Sequence, residues 1–179
     1  MARGRGKGWE EKVQHEVFEK YLRFTEKVKN KFIHRKVRIQ TTEFKGSTTV
    51  SLPDFVIVHP KYIELVECKE GNHPSFSLAQ AIGELLIYRS LIELGHELQN
   101  ISADMLDGKK IHLSICVSDG YKYDNKRYEW TDAHRKLLKN IEKKLNEKIT
   151  VYLIQPINEN KATKKYWNNP KNQKIEKLR

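Results

Sequence analysis

The chain has 179 residues and a formal net charge of +11, with 38% hydrophobic and 32% charged residues. That length predicts one domain with an appendage, and the charge favours a polyanionic partner, most often nucleic acid. A transmembrane helix is excluded, because no apolar run approaches the roughly 20 residues a bilayer requires.

The first eight residues, MARGRGKG, carry Arg3, Arg5 and Lys7 with no acid, and they lack the apolar core of a secretory signal. A flexible phosphate-binding arm and a cytoplasmic location are expected. A helix is predicted over residues 9–24. Its apolar face takes Trp9, Val13, Val17, Tyr21 and Phe24, and Glu10 falls near the centre of that face. Residues 32–44 predict a strand whose polar side presents His34, Arg35, Lys36 and Arg38, followed by a turn at Lys45. Of these, Arg38 and Lys45 are candidate phosphate contacts.

The segments 52–58 (LPDFVIV) and 62–68 (YIELVEC) predict a hairpin joined at Pro60. A loop follows over residues 71–75. A long, largely apolar helix is expected over 77–94, with Gly95 at its C-terminal end. A buried strand is predicted over 111–117, a tyrosine-rich loop over 120–130, a helix capped by Thr131 to about residue 147, and a last strand over 149–156. The fold class is therefore α/β, a mixed central sheet of about five strands flanked by helices on both faces. The domain spans residues 1–156. Residues 157–179 carry seven basic and two acidic residues and are expected to form a flexible basic tail or a short helix. Cys68 and Cys116 lie in apolar runs and read as buried free thiols. Two cysteines by themselves make no disulfide framework, zinc site or iron–sulfur cluster.

The chemistry is expected at Pro53-Asp54 and Glu67-Cys68-Lys69. An acid–x–lysine triplet occurs seven times in the chain, so the triplet alone carries little weight. Only Glu67-Cys68-Lys69 ends an apolar strand, and Pro53-Asp54 is the sole Pro-Asp in the sequence. Positions 67 and 69 of a strand share one side, and Asp54 opens the partner strand. Glu64 and Glu70 fall on the other side and are expected to be dispensable. Two carboxylates and a backbone carbonyl suit Mg²⁺ or Mn²⁺, and Lys69 can hold a water or steady charge on a phosphate.

This pattern resembles the PD-(D/E)xK nuclease superfamily, whose restriction-endonuclease-like core is a helix, a mixed sheet with its first three strands antiparallel, and a second helix. The resemblance covers residues 6–117. It implies that Asp54, Glu67 and the Cys68 main-chain carbonyl bind the metal, with Glu10 from the first helix, and that Lys69 is the catalytic lysine. Gly6 to Glu10 is similar to the Gly-x-x-x-Glu start of archaeal Holliday junction resolvases. Gln80 matches the glutamine of a Gln-x-x-x-Tyr motif of RecB-like relatives, although position 84 is Glu and the tyrosine comes at Tyr88. The expected function is a Mg²⁺-dependent DNA endonuclease acting as a homodimer on branched DNA. The alternatives are a non-catalytic nucleic-acid-binding module, a restriction-type enzyme and an RNA-directed nuclease.

Overall fold

A computed structural model describes residues 14–40, 53–69, 74–123, 126–158, 160, 166 and 169–178. In chain order the elements are α1 (His15–Phe24), β1 (Ile33–Arg35), β2 (Ile39–Gln40), β3 (Phe55–Val58), β4 (Tyr62–Lys69), α2 (Pro74–Glu93), β5 (Glu97–Leu98), α3 (Ala103–Leu106), β6 (Lys110–Ser118), β7 (Tyr121–Tyr123), β8 (Lys126–Tyr128), α4 (Asp132–Leu145), β9 (Ile149–Pro156) and β10 (Gln173–Leu178). Six strands form one mixed sheet in the order β1-β3-β4-β6-β9-β10. β3 runs antiparallel to both its neighbours β1 and β4, whereas β4, β6 and β9 are parallel.

The alternation of side chains along β4 divides the core. Ile63 and Leu65 pack under α2 with Leu78, Ala81, Ile82 and Leu85, and Leu138 of α4 joins that layer. Val66 and Cys68 face the other way and pack with Val17, Phe18 and Leu22 of α1, beside Phe55 and Tyr152. Helices therefore cover both faces of the sheet, as predicted. The central strands are buried on both sides, which explains their near-continuous apolar sequence.

Several local expectations change. Within the described part of the first helix, the buried face holds His15, Val17, Phe18 and Leu22, one position round from the face predicted. Phe18 wins because its ring meets Phe55 and Tyr152 edge-on at 5.1 and 4.8 Å between centroids. Phe24, at the helix end, is 70% exposed. The strand expected from residue 32 breaks at Lys36, which adopts φ 48° and donates its N–H to the Asp54 carbonyl (3.0 Å). Beyond that break, Val37 and Ile39 turn into the α2-side core, and β2 pairs with β5 instead of the main sheet. The tyrosine-rich loop contains the two-stranded β7–β8 ladder. Residues 173–178, expected as an arm or helix, are the edge strand β10, paired in register with β9 from Gln173↔Pro156 to Leu178↔Val151.

The α2 terminus fits its sequence: Gly95 takes φ 86°, and its N–H reaches the Ile92 carbonyl. Thr131 caps α4 in a reciprocal box with His134. No helix among the described residues is long and apolar enough to cross a membrane.

Candidate active site

The carboxyl ends of the parallel strands β4 and β6 meet the start of β3 and the first turn of α1. Open α/β sheets bind ligands outside such strand ends. The β3–β4 register ends at Phe55↔Val66, and one residue further on it sets Asp54 opposite Glu67. Glu67 and Lys69 point to the α2 side, as their spacing predicts. Lys69 Nζ bridges Glu67 Oε1 and Glu84 Oε2, each at 2.6 Å. Gln80 Nε2, one turn earlier on α2, donates to Glu84 Oε1 at 2.9 Å.

Asp54 is held from the other side. Its Oδ2 accepts the Cys68 N–H at 2.8 Å, and its Oδ1 lies 3.3 Å from His15 Nε2. The convergence expected from the sequence is thus partial. Glu67, Lys69 and Glu84 form one knot, Asp54 and His15 form another, and the 67–69 backbone joins them. Gln14, at the head of α1, ties that backbone down: its Nε2 donates to the Lys69 carbonyl (2.8 Å) and to Ser118 Oγ (3.2 Å).

The charges are strongly coupled. Burial, then the Asp54 charge and the contact with Glu84, push the Glu67 carboxyl well above its ordinary range, outweighing Lys69. Burial also works against ionising Glu84, but its contacts with Glu67, Lys69 and Gln80 hold its pKa below the usual value. Lys69 stays charged: burial opposes it, and the two carboxylates outweigh burial.

Of the residues singled out in the sequence, Asp54, Glu67, Cys68 and Lys69 meet at this corner, and Gln80 reaches it only through Glu84. Arg38 is exposed, and its carbonyl accepts the Gln99 N–H. Arg35 is engaged by Glu19 (3.0 Å) and lies over the Phe55 ring. Glu10, Arg3, Arg5, Lys7 and Lys45 lie outside the described residues, as does Glu70. Glu64 does lie on the opposite strand face, but it is not dispensable to the structure. It is 4% exposed and accepts hydrogen bonds from Ser114 Oγ (2.5 Å) and Tyr152 Oη (2.8 Å), with His59 Nε2 at 3.0 Å.

Sequence reasoning missed Gln14, His15, Glu84 and Ser118 as members of the site. Glu84 had a signal, since it stands four residues after Gln80. The others become visible only when α1 is laid across the strand ends.

The chain matches no protein-family model, no curated protein and no solved structure.

The donor chemistry fits a hard divalent cation. Two acids from adjoining strands lie beside a strand-end carbonyl, and no hydrogen-bond donor among the described residues reaches the buried Glu67 Oε2. Burial and crowding disfavour ionised carboxyls, and the charge of a bound cation offsets that cost.

Proposed function

We propose that the protein is a metal-dependent DNA endonuclease with a restriction-endonuclease-like core of the PD-(D/E)xK type. The observation that carries this reading is the placement of Glu67 and Lys69 on one side of β4 at its carboxyl end, with Asp54 opposite Glu67 on the antiparallel neighbour. The order of elements supports it: a helix, three strands antiparallel in succession, a second helix, then a parallel strand. The charge of +11 supports a polyanionic substrate.

In this reading Asp54, Glu67 and the Cys68 carbonyl hold Mg²⁺ or Mn²⁺, with Glu10 contributing from the N-terminal side. The ion, when bound, polarises the phosphate and lowers the pKa of a water. Lys69 positions the attacking water and balances charge building on the phosphate. Glu84 and Gln80 fix the Lys69 ammonium, and Gln14 fixes the backbone carbonyl of the lysine itself. Asp54 is oriented by the Cys68 amide. By resemblance the products carry 5′-phosphate and 3′-hydroxyl ends. Arg3, Arg5, Lys7, Arg38 and Lys45 contact the phosphate backbone.

Branched DNA is the preferred substrate class in this reading, and a homodimer supplies the two active sites that junction resolution needs. The experiment is a substrate panel with Mg²⁺ or Mn²⁺: supercoiled, linear, single-stranded and four-way-junction DNA beside a matched RNA. Cleavage of junctions in preference to duplex supports the full proposal. Cleavage of RNA alone transfers the chemistry to an RNA-directed enzyme. Binding without cleavage of any substrate identifies a non-catalytic module.

A further inference from the structure

We propose that His15, Asp54 and Cys68, with Cys116 as the fourth donor, form a second metal site selective for a thiophilic divalent cation of the Zn²⁺ class. The proposal does not depend on nuclease activity. It concerns the α1 side of the sheet, opposite the face that carries Glu67 and Lys69.

One donor atom from each of His15, Asp54 and Cys68 lies within 4.8 Å of the other two. His15 Nε2 is already 3.3 Å from Asp54 Oδ1. Tetrahedral zinc with nitrogen, oxygen and sulfur ligands sets its donors about 3.4–3.7 Å apart, so the trio needs to contract by at most about 1.4 Å. The sheet brings a fourth donor beside the trio, outside the 4.8 Å that relates its members. β4 and β6 run parallel with Cys68 directly beside Cys116, and both thiols are buried in the α1-side cluster. Two cysteines alone hold no zinc ion; the fold adds the imidazole and the carboxylate that complete the set.

Burial and chemistry agree with this. Both cysteines are fully buried and His15 is 1% exposed, so the cluster is dry. Asp54 keeps 17% of its side chain accessible and gives an ion a route in. His15 Nδ1 is buried without a hydrogen-bond partner among the described residues, which leaves either ring nitrogen available as donor. Soft thiolate and imidazole donors favour Zn²⁺ or Co²⁺ over Mg²⁺, which seeks oxygen. Because Asp54 belongs to both sites, an ion held here withdraws it from the hydrolytic set. That consequence, unlike the binding itself, rests on the nuclease reading.

The test titrates Co²⁺ into the metal-free full-length protein without DNA. Expected is a near-ultraviolet thiolate-to-cobalt charge-transfer band that Zn²⁺ abolishes and excess Mg²⁺ leaves intact. Cys68→Ala should weaken Co²⁺ binding by more than about 100-fold, beyond what loss of an outer-shell partner causes, and Glu67→Gln should keep the band. Absence of the band in the wild-type protein, or a band of unchanged affinity in a folded Cys68→Ala variant, overturns the proposal. Should Cys68→Ala fail to fold, His15→Gln and Cys116→Ala replace it. A wild-type protein that binds Co²⁺ through thiolate but cuts no nucleic acid sustains this site and removes the nuclease reading alone.

Discussion

The Cys68 amide donates to Asp54 Oδ2 at 2.8 Å, so the carboxylate that opens β3 is anchored to the backbone of the strand carrying Glu67 and Lys69. That bond sets the spacing between two acids contributed by different strands. Asn at position 54 retains a carbonyl oxygen for the same amide but carries no charge. Asp54→Asn is therefore expected to fold normally and to lose more than about 100-fold in cleavage rate. Circular dichroism beside an initial-rate assay checks both halves.

Glu64 and Glu67 make opposite demands. Removing Glu64 leaves the Ser114 and Tyr152 hydroxyls without their buried acceptor, so Glu64→Ala should cost about 3 kcal/mol of stability. Glu67→Gln removes a carboxyl that resists ionisation and sits against Glu84, so stability should hold or rise while cleavage is lost. Denaturant unfolding of the two variants, compared with their cleavage rates, separates an acid required for stability from one required for cleavage.

Much of this division is visible in the sequence. The period-two alternation of β4 places Glu67 and Lys69 together and Glu64 opposite. Pro53-Asp54 marks the partner strand. Two things escape such patterns. The α1 face is chosen by packing of Phe18 on Phe55 and Tyr152, which no helical period specifies. The fate of the tail is decided by the open edge of β9, where Gln173–Leu178 finds backbone partners despite a polar, basic sequence. Likewise, that Glu64 is buried depends on Tyr152 and Ser114, 88 and 50 residues away along the chain.

The Glu64 network also predicts a pH dependence. Burial alone would raise its pKa, but His59, Ser114 and Tyr152 together hold it below the ordinary carboxylate value. A carboxylate with a depressed folded-state pKa contributes stability above its unfolded value, and that contribution is lost as pH falls through the folded value. The stability gap between wild type and Glu64→Gln should be widest near neutrality and begin to narrow as pH falls below about 4.3. Urea midpoints measured from pH 3 to 7 provide the check, and a gap that widens on acidification contradicts this assignment.

Glu84 and Gln80 act in sequence on Lys69, and their variants should rank accordingly. Glu84→Ala deprives the ammonium of one of its two carboxylates and is expected to lower cleavage by about tenfold or more, as for loss of an outer-shell partner. Gln80→Ala touches Lys69 only through Glu84 and should have the smaller effect. Equal losses in the two variants would place Gln80 on the substrate directly.

The edge strand gives a structural prediction. β10 closes the sheet, Ile175 packs into the α1-side core, and Lys177 pairs with Glu26 at 3.2 Å. Truncation after Asn172 should lower stability by more than about 2 kcal/mol, roughly 4–8 °C in Tm for a chain of this size. Thermal unfolding of the truncated chain measures it; an unchanged Tm would mean that the segment behaves as the arm expected from its composition.

The central claim is that Asp54, Glu67 and Lys69 form a hydrolytic site. Its most direct test is the initial rate of DNA cleavage in Mn²⁺ and in a chelator, for wild type, Asp54→Asn and Lys69→Met, each first shown to be folded. The account predicts cleavage by the wild type in Mn²⁺ only, and a loss of about 10²–10³-fold or more in both variants. Equal rates in all three proteins, or cleavage that persists in the chelator, would contradict it.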